Sequence, residues 1–259
     1  MAGDDMTAGH APTAERIAAA ATALGVRPGG VLLVHSSLSS MGHVDGGADT
    51  VIEGLLQALG PAGTLLMPAL SYATVNRDHT HFDRQATPSC VGAIAEAFRL
   101  RGGTLRSGSP THSVCATGPL AAQLVADHHL DTTPVGPRSP LRKVRDLDGQ
   151  LMFLGCGLGP NTSMHGVEEL VGPPYLFGED VTYSLQLGAE RHDVTCRRHK
   201  FAGWAQRYER VAELLTGDDL RVGKVLDAQA HLLEVRRMWN CAEAALRHDA
   251  FTFVSPAPA

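Results

Sequence analysis

Val31-Leu32-Leu33-Val34-His35-Ser36-Ser37 and, beyond a helix-like stretch at 50–59, Thr64-Leu65-Leu66-Met67-Pro68 decide the fold class. Each opens with a short apolar run, as strands covered on both faces do, and each follows a turn: Arg27-Pro28-Gly29-Gly30 before the first and Gly60-Pro61-Ala62-Gly63 before the second. Strand, helix, strand at this spacing is a βαβ unit, and it predicts a three-layer α/β/α fold around a mostly parallel central sheet. Working outward, helices are expected at 14–24, 89–100 and 119–126, and a further buried strand at 151–157. After Tyr175 the pattern alternates with period two over 181–187 and 193–196 around Gly188-Ala189-Glu190-Arg191. Mixed segments follow at 201–215 and 228–246, with a closing strand at 251–254. The expectation is one domain at 13–259 with a smaller antiparallel and helical part, a subsidiary lobe at about 176–250. Residues 1–12 read as a frayed tail.

The strand at 151–157 delivers Asn161-Thr162-Ser163-Met164-His165-Gly166-Val167-Glu168-Glu169, which begins with helix-capping side chains and is stopped by Pro173-Pro174. On that helix His165 and Glu168 are three residues apart and share a face, so a carboxylate can fix the imidazole tautomer and leave the other ring nitrogen to take a proton. An ordinary helix-surface ion pair would have the same spacing. The position favours chemistry, because open α/β sheets bind ligands at the carboxyl ends of their strands.

Composition narrows the function. The 259 residues are 44% hydrophobic and 19% charged, with a net charge of -5. That balance disfavours nucleic acid and suits a small cationic partner. No apolar run approaches a membrane span, and Met1 to Pro12 lack a secretory signal, so the cytoplasm is the expected location. Five cysteines without a C-x-x-C pair indicate neither a disulfide framework nor a thiolate zinc site. Oligomeric state, monomer or homodimer, is left open.

Two loops rich in small donors, 35–42 and 104–118, end or precede apolar runs and suit a phosphate- or amide-bearing ligand, although neither has Walker or Rossmann glycine spacing. Arg106 could meet a phosphate there; a solvated arginine beside a turn is the plainer alternative. His35 and His112 read equally as loop-pinning core histidines or as wall of a site. Cys156 could carry an acyl group but is equally a packed strand end. The irregular segment 71–88 crowds Asp78, His79, His81 and Asp83, which a polar loop explains without a metal. Asp78, Asp83, Glu169, Glu179 and Asp180 could form an acidic rim for a polycation.

Several segments together resemble the aminoglycoside 3-N-acetyltransferase family. They are Leu33-Val34-His35-Ser36-Ser37-Leu38, Gly63-Thr64-Leu65-Leu66-Met67-Pro68, Phe82-Asp83 with Thr87-Pro88-Ser89, Arg106-Ser107 with Pro110-Thr111-His112-Ser113, Ser139-Pro140-Leu141, and Asn161-Thr162-Ser163 with His165 and Glu168. The resemblance implies an α/β fold unlike that of GNAT acetyltransferases, acetyl-CoA as cosubstrate, no metal cofactor, and a cationic amine as acceptor. It casts His165 as base and Glu168 as its partner. It further points to His35, Ser36, Ser37, Leu38, Ser40, Arg106, Ser107, His112, Ser113 and Val114 around the coenzyme, and to Tyr72, Asp78, Asp83, Glu169 and Glu179 around the amine. Two departures stand out: Ser109 where relatives commonly carry His, and Gly166-Val167 where they tend to carry Leu-Ala. Three rival readings remain: a biosynthetic acyltransferase with another amine, a thioesterase-like hydrolase, and a CoA-binding protein without catalysis.

Overall fold

A computed structural model describes residues 13–258; the expected tail at 1–12 lies outside the described residues. The chain opens with α1 (Thr13–Leu24), β1 (Val31–Ser36), α2 (Gly47–Leu59) and β2 (Thr64–Pro68), the βαβ unit of the sequence. It continues through β3 (His81–Asp83), α3 (Ala93–Leu100), β4 (Leu105–Arg106), β5 (Val114–Thr117), α4 (Ala121–Val125) and α5 (Pro140–Asp146). The carboxyl-terminal part holds β6 (Gln150–Leu154), α6 (Ser163–Val171), β7 (Phe177–Leu187), β8 (Glu190–His199), β9 (Trp204–Gln206), β10 (Leu220–Val225), β11 (Ala228–Glu234), α7 (Val235–His248) and β12 (Val254–Pro256).

The central sheet has seven strands in the order β10-β11-β6-β1-β2-β5-β4. β6, β1 and β2 pair in parallel, while β11 and β5 run antiparallel beside them and β10 and β4 reverse again. Five strands therefore share one direction and two oppose it. Alternation along β1 explains the layering. Leu32 and Val34 enter the core beneath α1, α2 and α3, and Val31 and Leu33 enter the one beneath α4 to α7.

The expected lobe at 176–250 divides. β7 and β8 form a hairpin that pairs with β3 in a separate three-stranded sheet, whereas β10 and β11 extend the central sheet and α7 packs in its second core. The segment at 228–246 is thus a strand and then a helix, because Ala228, Ala230 and Leu232 face one core while Leu233 faces the other. Phe253 packs in the core, and the closing strand begins at Val254 and pairs with β9.

α6 ends at Gly172, in the left-handed region (φ 71°), before the prolines are reached. Within it, a Cβ on Gly166 would overlap Cη2 of Trp239 and lie 2.7 Å from Cζ2 and 3.0 Å from Cγ1 of Val135. Trp239 is buried and donates Nε1–H to Ser163 Oγ at 2.8 Å, so the ring cannot retreat freely. The indole therefore accounts for the glycine at this position. Helix propensity favours Gly166→Ala by about 1 kcal/mol, but overpacking a rigid core costs about 1–3 kcal/mol. A net loss of up to about 2 kcal/mol is expected in urea unfolding; a raised midpoint would show that Trp239 yields easily.

Candidate active site

The carboxyl ends of β1 and β2 and the loop after β6 surround a cavity of about 910 Å³, with Tyr183, Arg198 and His199 of the β7–β8 hairpin on its other side. His165 faces this cavity and is buried on α6, and Glu168 is wholly buried one turn later. The expected pair forms, but its direct contact, Nδ1 to Oε2, is long at 3.4 Å. Tyr208 closes the gap. Its hydroxyl lies 2.9 Å from His165 Nδ1 and donates to Glu168 Oε2 at 2.7 Å, while Tyr175 donates to Glu168 Oε1 at 2.9 Å.

These bonds fix the tautomer. With its proton committed to Glu168, the Tyr208 oxygen can only accept from His165, so Nδ1 carries hydrogen and Nε2 keeps its lone pair for the cavity. Burial and the adjacent carboxylate hold both tyrosines above the ordinary phenol range, which keeps the donors protonated. Thr162 does not cap the helix with its side chain; Asn161 Oδ1 instead accepts from Ser163 N–H at 3.1 Å. The Thr162 hydroxyl meets His35 Nε2 at 2.8 Å.

The two serine-rich loops separate in role. His35, Ser36 and His112 line the cavity. Ser37, Leu38 and Ser40 are outside its wall, in a 3-10 turn where Ser40 Oγ donates to the Gly155 carbonyl at 2.7 Å. The assignment of Arg106 to a coenzyme phosphate is corrected. Its guanidinium is buried, donating to Ser113 Oγ and to the carbonyls of Ala69, Arg84 and Thr87, and it lies over the Phe82 ring at 4.9 Å. Ser107, Ser113 and Val114 belong to the same interior: Val114 N–H donates to Ser107 Oγ, and Ser107 meets His128 Nδ1 at 2.9 Å. With four of its five N–H donors bound to protein oxygens, the guanidinium is held inside the fold and away from the cavity wall.

The acidic rim is also corrected. Tyr72 and Asp78 line the cavity, but Arg77 and Arg198 stand beside them. Glu179 pairs with Arg198 at 2.8 Å, and Asp83 caps its own turn by accepting from the amides of Gln85 and Ala86. The Glu169 carboxylate is buried. It accepts from Thr133 Oγ1 at 2.6 Å and from the Val135 amide and His199 Nε2, each at 2.8 Å. It reaches the cavity only through His199.

Sequence spacing does not assign Tyr175, Tyr208 or His199 to the site. Tyr208 lies 43 residues beyond His165 and His199 ends an alternating strand, so no local pattern marks them. The rings of His112, His165 and His199 nonetheless cluster, with centroids 5.1 to 5.4 Å apart.

Burial lowers His112 and His199 well below the usual imidazole range, with neighbouring histidines adding to it, and brings His35 and His128 down to about 3. For the last two the folded chain refuses protons that the unfolded chain takes up below about pH 6.5. Stability from this source is therefore complete above about pH 6.5 and falls as pH drops towards 3, by about 1.4 kcal/mol per pH unit per ring. Urea unfolding at about pH 5.5 should show at least about 3 kcal/mol less stability than at about pH 8, since His112 and His199 add to the loss in the same direction. Equal stabilities at the two pH values would mean that these histidines are not buried in the neutral form.

A family profile described as aminoglycoside 3-N-acetyltransferase matches residues 33–247. Aminoglycoside N(3)-acetyltransferase IV of a Salmonella species is 40% identical over 241 residues, covering 90% of this chain and 87% of the relative. The chain belongs to the aminoglycoside 3-N-acetyltransferase family. A second member, aminoglycoside N(3)-acetyltransferase VII of Streptomyces paromomycinus, is 30% identical and shares 86% of this chain and 88% of its own length. Among solved structures, aminoglycoside acetyltransferase AAC(3)-IVa in complex with a gentamicin superposes with a TM-score of 0.81 at 30% identity, covering 97% of this chain and 94% of the other. AAC-IIIb bound to CoASH gives 0.80 at 27% identity, covering 96% and 99%. The three-layer architecture is thus that of aminoglycoside 3-N-acetyltransferases, for which acetyl-CoA is the acyl donor.

Proposed function

We propose that the chain acetylates an aminoglycoside at the 3-amino group of the 2-deoxystreptamine ring, conferring resistance, by direct transfer from acetyl-CoA with His165 as general base. The observation that carries this reading is the Tyr208–Glu168 clamp on His165 Nδ1, which leaves the Nε2 lone pair facing a cavity large enough for an amine and a thioester. The substrate ammonium gives a proton to Nε2, and the freed nitrogen attacks the thioester carbonyl carbon. The C–S bond breaks and the thiolate takes the proton from the imidazolium; the second proton lost by nitrogen leaves to solvent. Glu168 stabilises the imidazolium while it exists. His35, Ser36 and His112 are the proposed coenzyme contacts, and Tyr72 and Asp78 those of the amine.

Direct transfer is favoured over an acyl-cysteine because burial pushes the Cys156 thiol up to about 11, away from the thiolate that would attack. Among the described residues no helix is long and apolar enough to cross a membrane, and all five cysteines are free, which supports the cytoplasm as location.

Release of CoA thiol from acetyl-CoA, measured with and without a panel of aminoglycosides and simple amines, tests the reading. Thiol only with an aminoglycoside supports it. Thiol with simple amines alone would favour a biosynthetic acyltransferase, thiol without amine a hydrolase, and none a binding protein. Tyr208→Phe keeps the ring and removes the clamp, so kcat should fall about 10-fold to 100-fold while KM for acetyl-CoA holds. An unchanged kcat across pH would leave Tyr208 a packing residue.

A further inference from the structure

His112, His165 and His199 come from three separate segments, and one ring nitrogen of each lies within 4.8 Å of the others. Each ring commits one nitrogen to a neighbour. His165 Nδ1 is held by Tyr208 and Glu168, His199 Nε2 by Glu169 at 2.8 Å, and His112 Nδ1 by the Thr111 hydroxyl at 2.8 Å. Because a carboxylate accepts, His199 Nε2 must carry hydrogen. Its Nδ1 is then a bare lone pair, buried and without a partner among the described residues. His165 Nε2 is a second such lone pair. Thr111 can accept from His112 Nδ1–H, which makes His112 Nε2 the third.

The geometry points to a divalent transition-metal site, suited to Zn²⁺, formed by His112, His165 and His199, at which the cation blocks the base. Imidazole nitrogens held from behind by carboxylate or hydroxyl partners are the usual arrangement around bound zinc. Zinc–nitrogen bonds of about 2.0–2.1 Å in a tetrahedral site place ligand nitrogens about 3.4 Å apart, so small ring rotations close the site from its present spread. The fourth position opens onto the cavity, where water or a substrate amine completes the shell. Two buried carboxylates, Glu168 and Glu169, stand behind two of the ligands and offset the charge of the cation. The cation is not a cofactor here: it occupies the lone pair that the transfer reaction needs. That consequence rests on His165 being the base, whereas the binding site does not.

Cobalt(II) added to metal-stripped full-length protein, without substrates, is the direct probe. One equivalent should bind with the visible absorption of a low-coordinate nitrogen site and be displaced by Zn²⁺. His112→Asn and His199→Asn should each weaken binding more than about tenfold, and a His79→Asn/His81→Asn variant should bind as the wild type does. No visible band, a band that survives in both site variants, or one lost with His79 and His81 would overturn the proposal. X-ray absorption of the zinc-loaded wild type needs no variant, and fewer than three imidazoles on the metal would overturn it as well. Zn²⁺ should also suppress formation of acetylated amine, read by mass spectrometry, and EDTA should restore it. Full turnover with the three-imidazole site saturated would overturn the blocking role. Absence of any turnover in metal-free protein would count against the functional reading alone, because the cobalt spectrum is read without substrate.

Discussion

Replacing His165 by alanine is expected to lower kcat for acetyl transfer by about 100-fold to 10,000-fold, the range contributed by a positioned proton acceptor. The effect should fall on kcat more than on the KM for acetyl-CoA, since Ser36 and His35, two of the three proposed coenzyme contacts, lie at the end of β1 and not on α6. The fold should survive: His165 is at the cavity wall, so truncation enlarges an existing space. Circular dichroism with steady-state kinetics at saturating acetyl-CoA separates the two effects. Residual activity that rises with pH, as amines deprotonate unaided, would agree with the assigned role. Wild-type turnover at neutral pH would transfer the role to another group, and His199, with a lone pair on the same cavity, would be the next candidate.

The second large effect is on stability. Arg106→Ala removes a buried guanidinium whose donors serve Ser113 Oγ and the carbonyls of Ala69, Arg84 and Thr87. A buried acceptor left without its partner costs about 1–3 kcal/mol, and the stacking on Phe82 is lost with it. Water entering the vacated space recovers part of this, so a loss of about 3–5 kcal/mol is expected in urea unfolding. Lysine should not rescue it, because one ammonium cannot reproduce the planar fork. CoA affinity, measured by calorimetry on the fraction that remains folded, should stay near that of the wild type. A variant of normal stability with weakened CoA binding would restore Arg106 to the coenzyme.

The contrast between Arg106 and His165 shows how far the sequence could be read. The βαβ unit, the six ordered segments and the His165–Glu168 spacing are local patterns, so fold class, family and candidate base were legible. Arg106 was not, since a polar loop beside an arginine looks the same whether the side chain turns outward or inward. What turns it inward is a ring of carbonyls contributed by 69, 84 and 87, and backbone acceptors leave no mark in sequence. Glu169 misled for a related reason: one residue along the helix from Glu168, its carboxylate is buried beside Thr133 and His199, neither of which is near it in the chain. Tyr208 and Tyr175 escaped because hydroxyl clamps are set by tertiary packing. The antiparallel flanks of the sheet were missed because short apolar runs predict burial and not direction.

The strand order also governs how the chain acquires its shape. β1 at residue 31 pairs with β6 at residue 150, and β6 pairs in turn with β11 at residue 228. The middle of the sheet is therefore sewn from the first, middle and last parts of the polypeptide. Contacts of such sequence separation are slow to form, and during synthesis β6 has no partner on its outer side until β11 has left the ribosome. Until then the edge of β6 is an open template for other strands. Chaperone demand and aggregation should rise with rapid overproduction at high temperature, when many chains expose that edge at once.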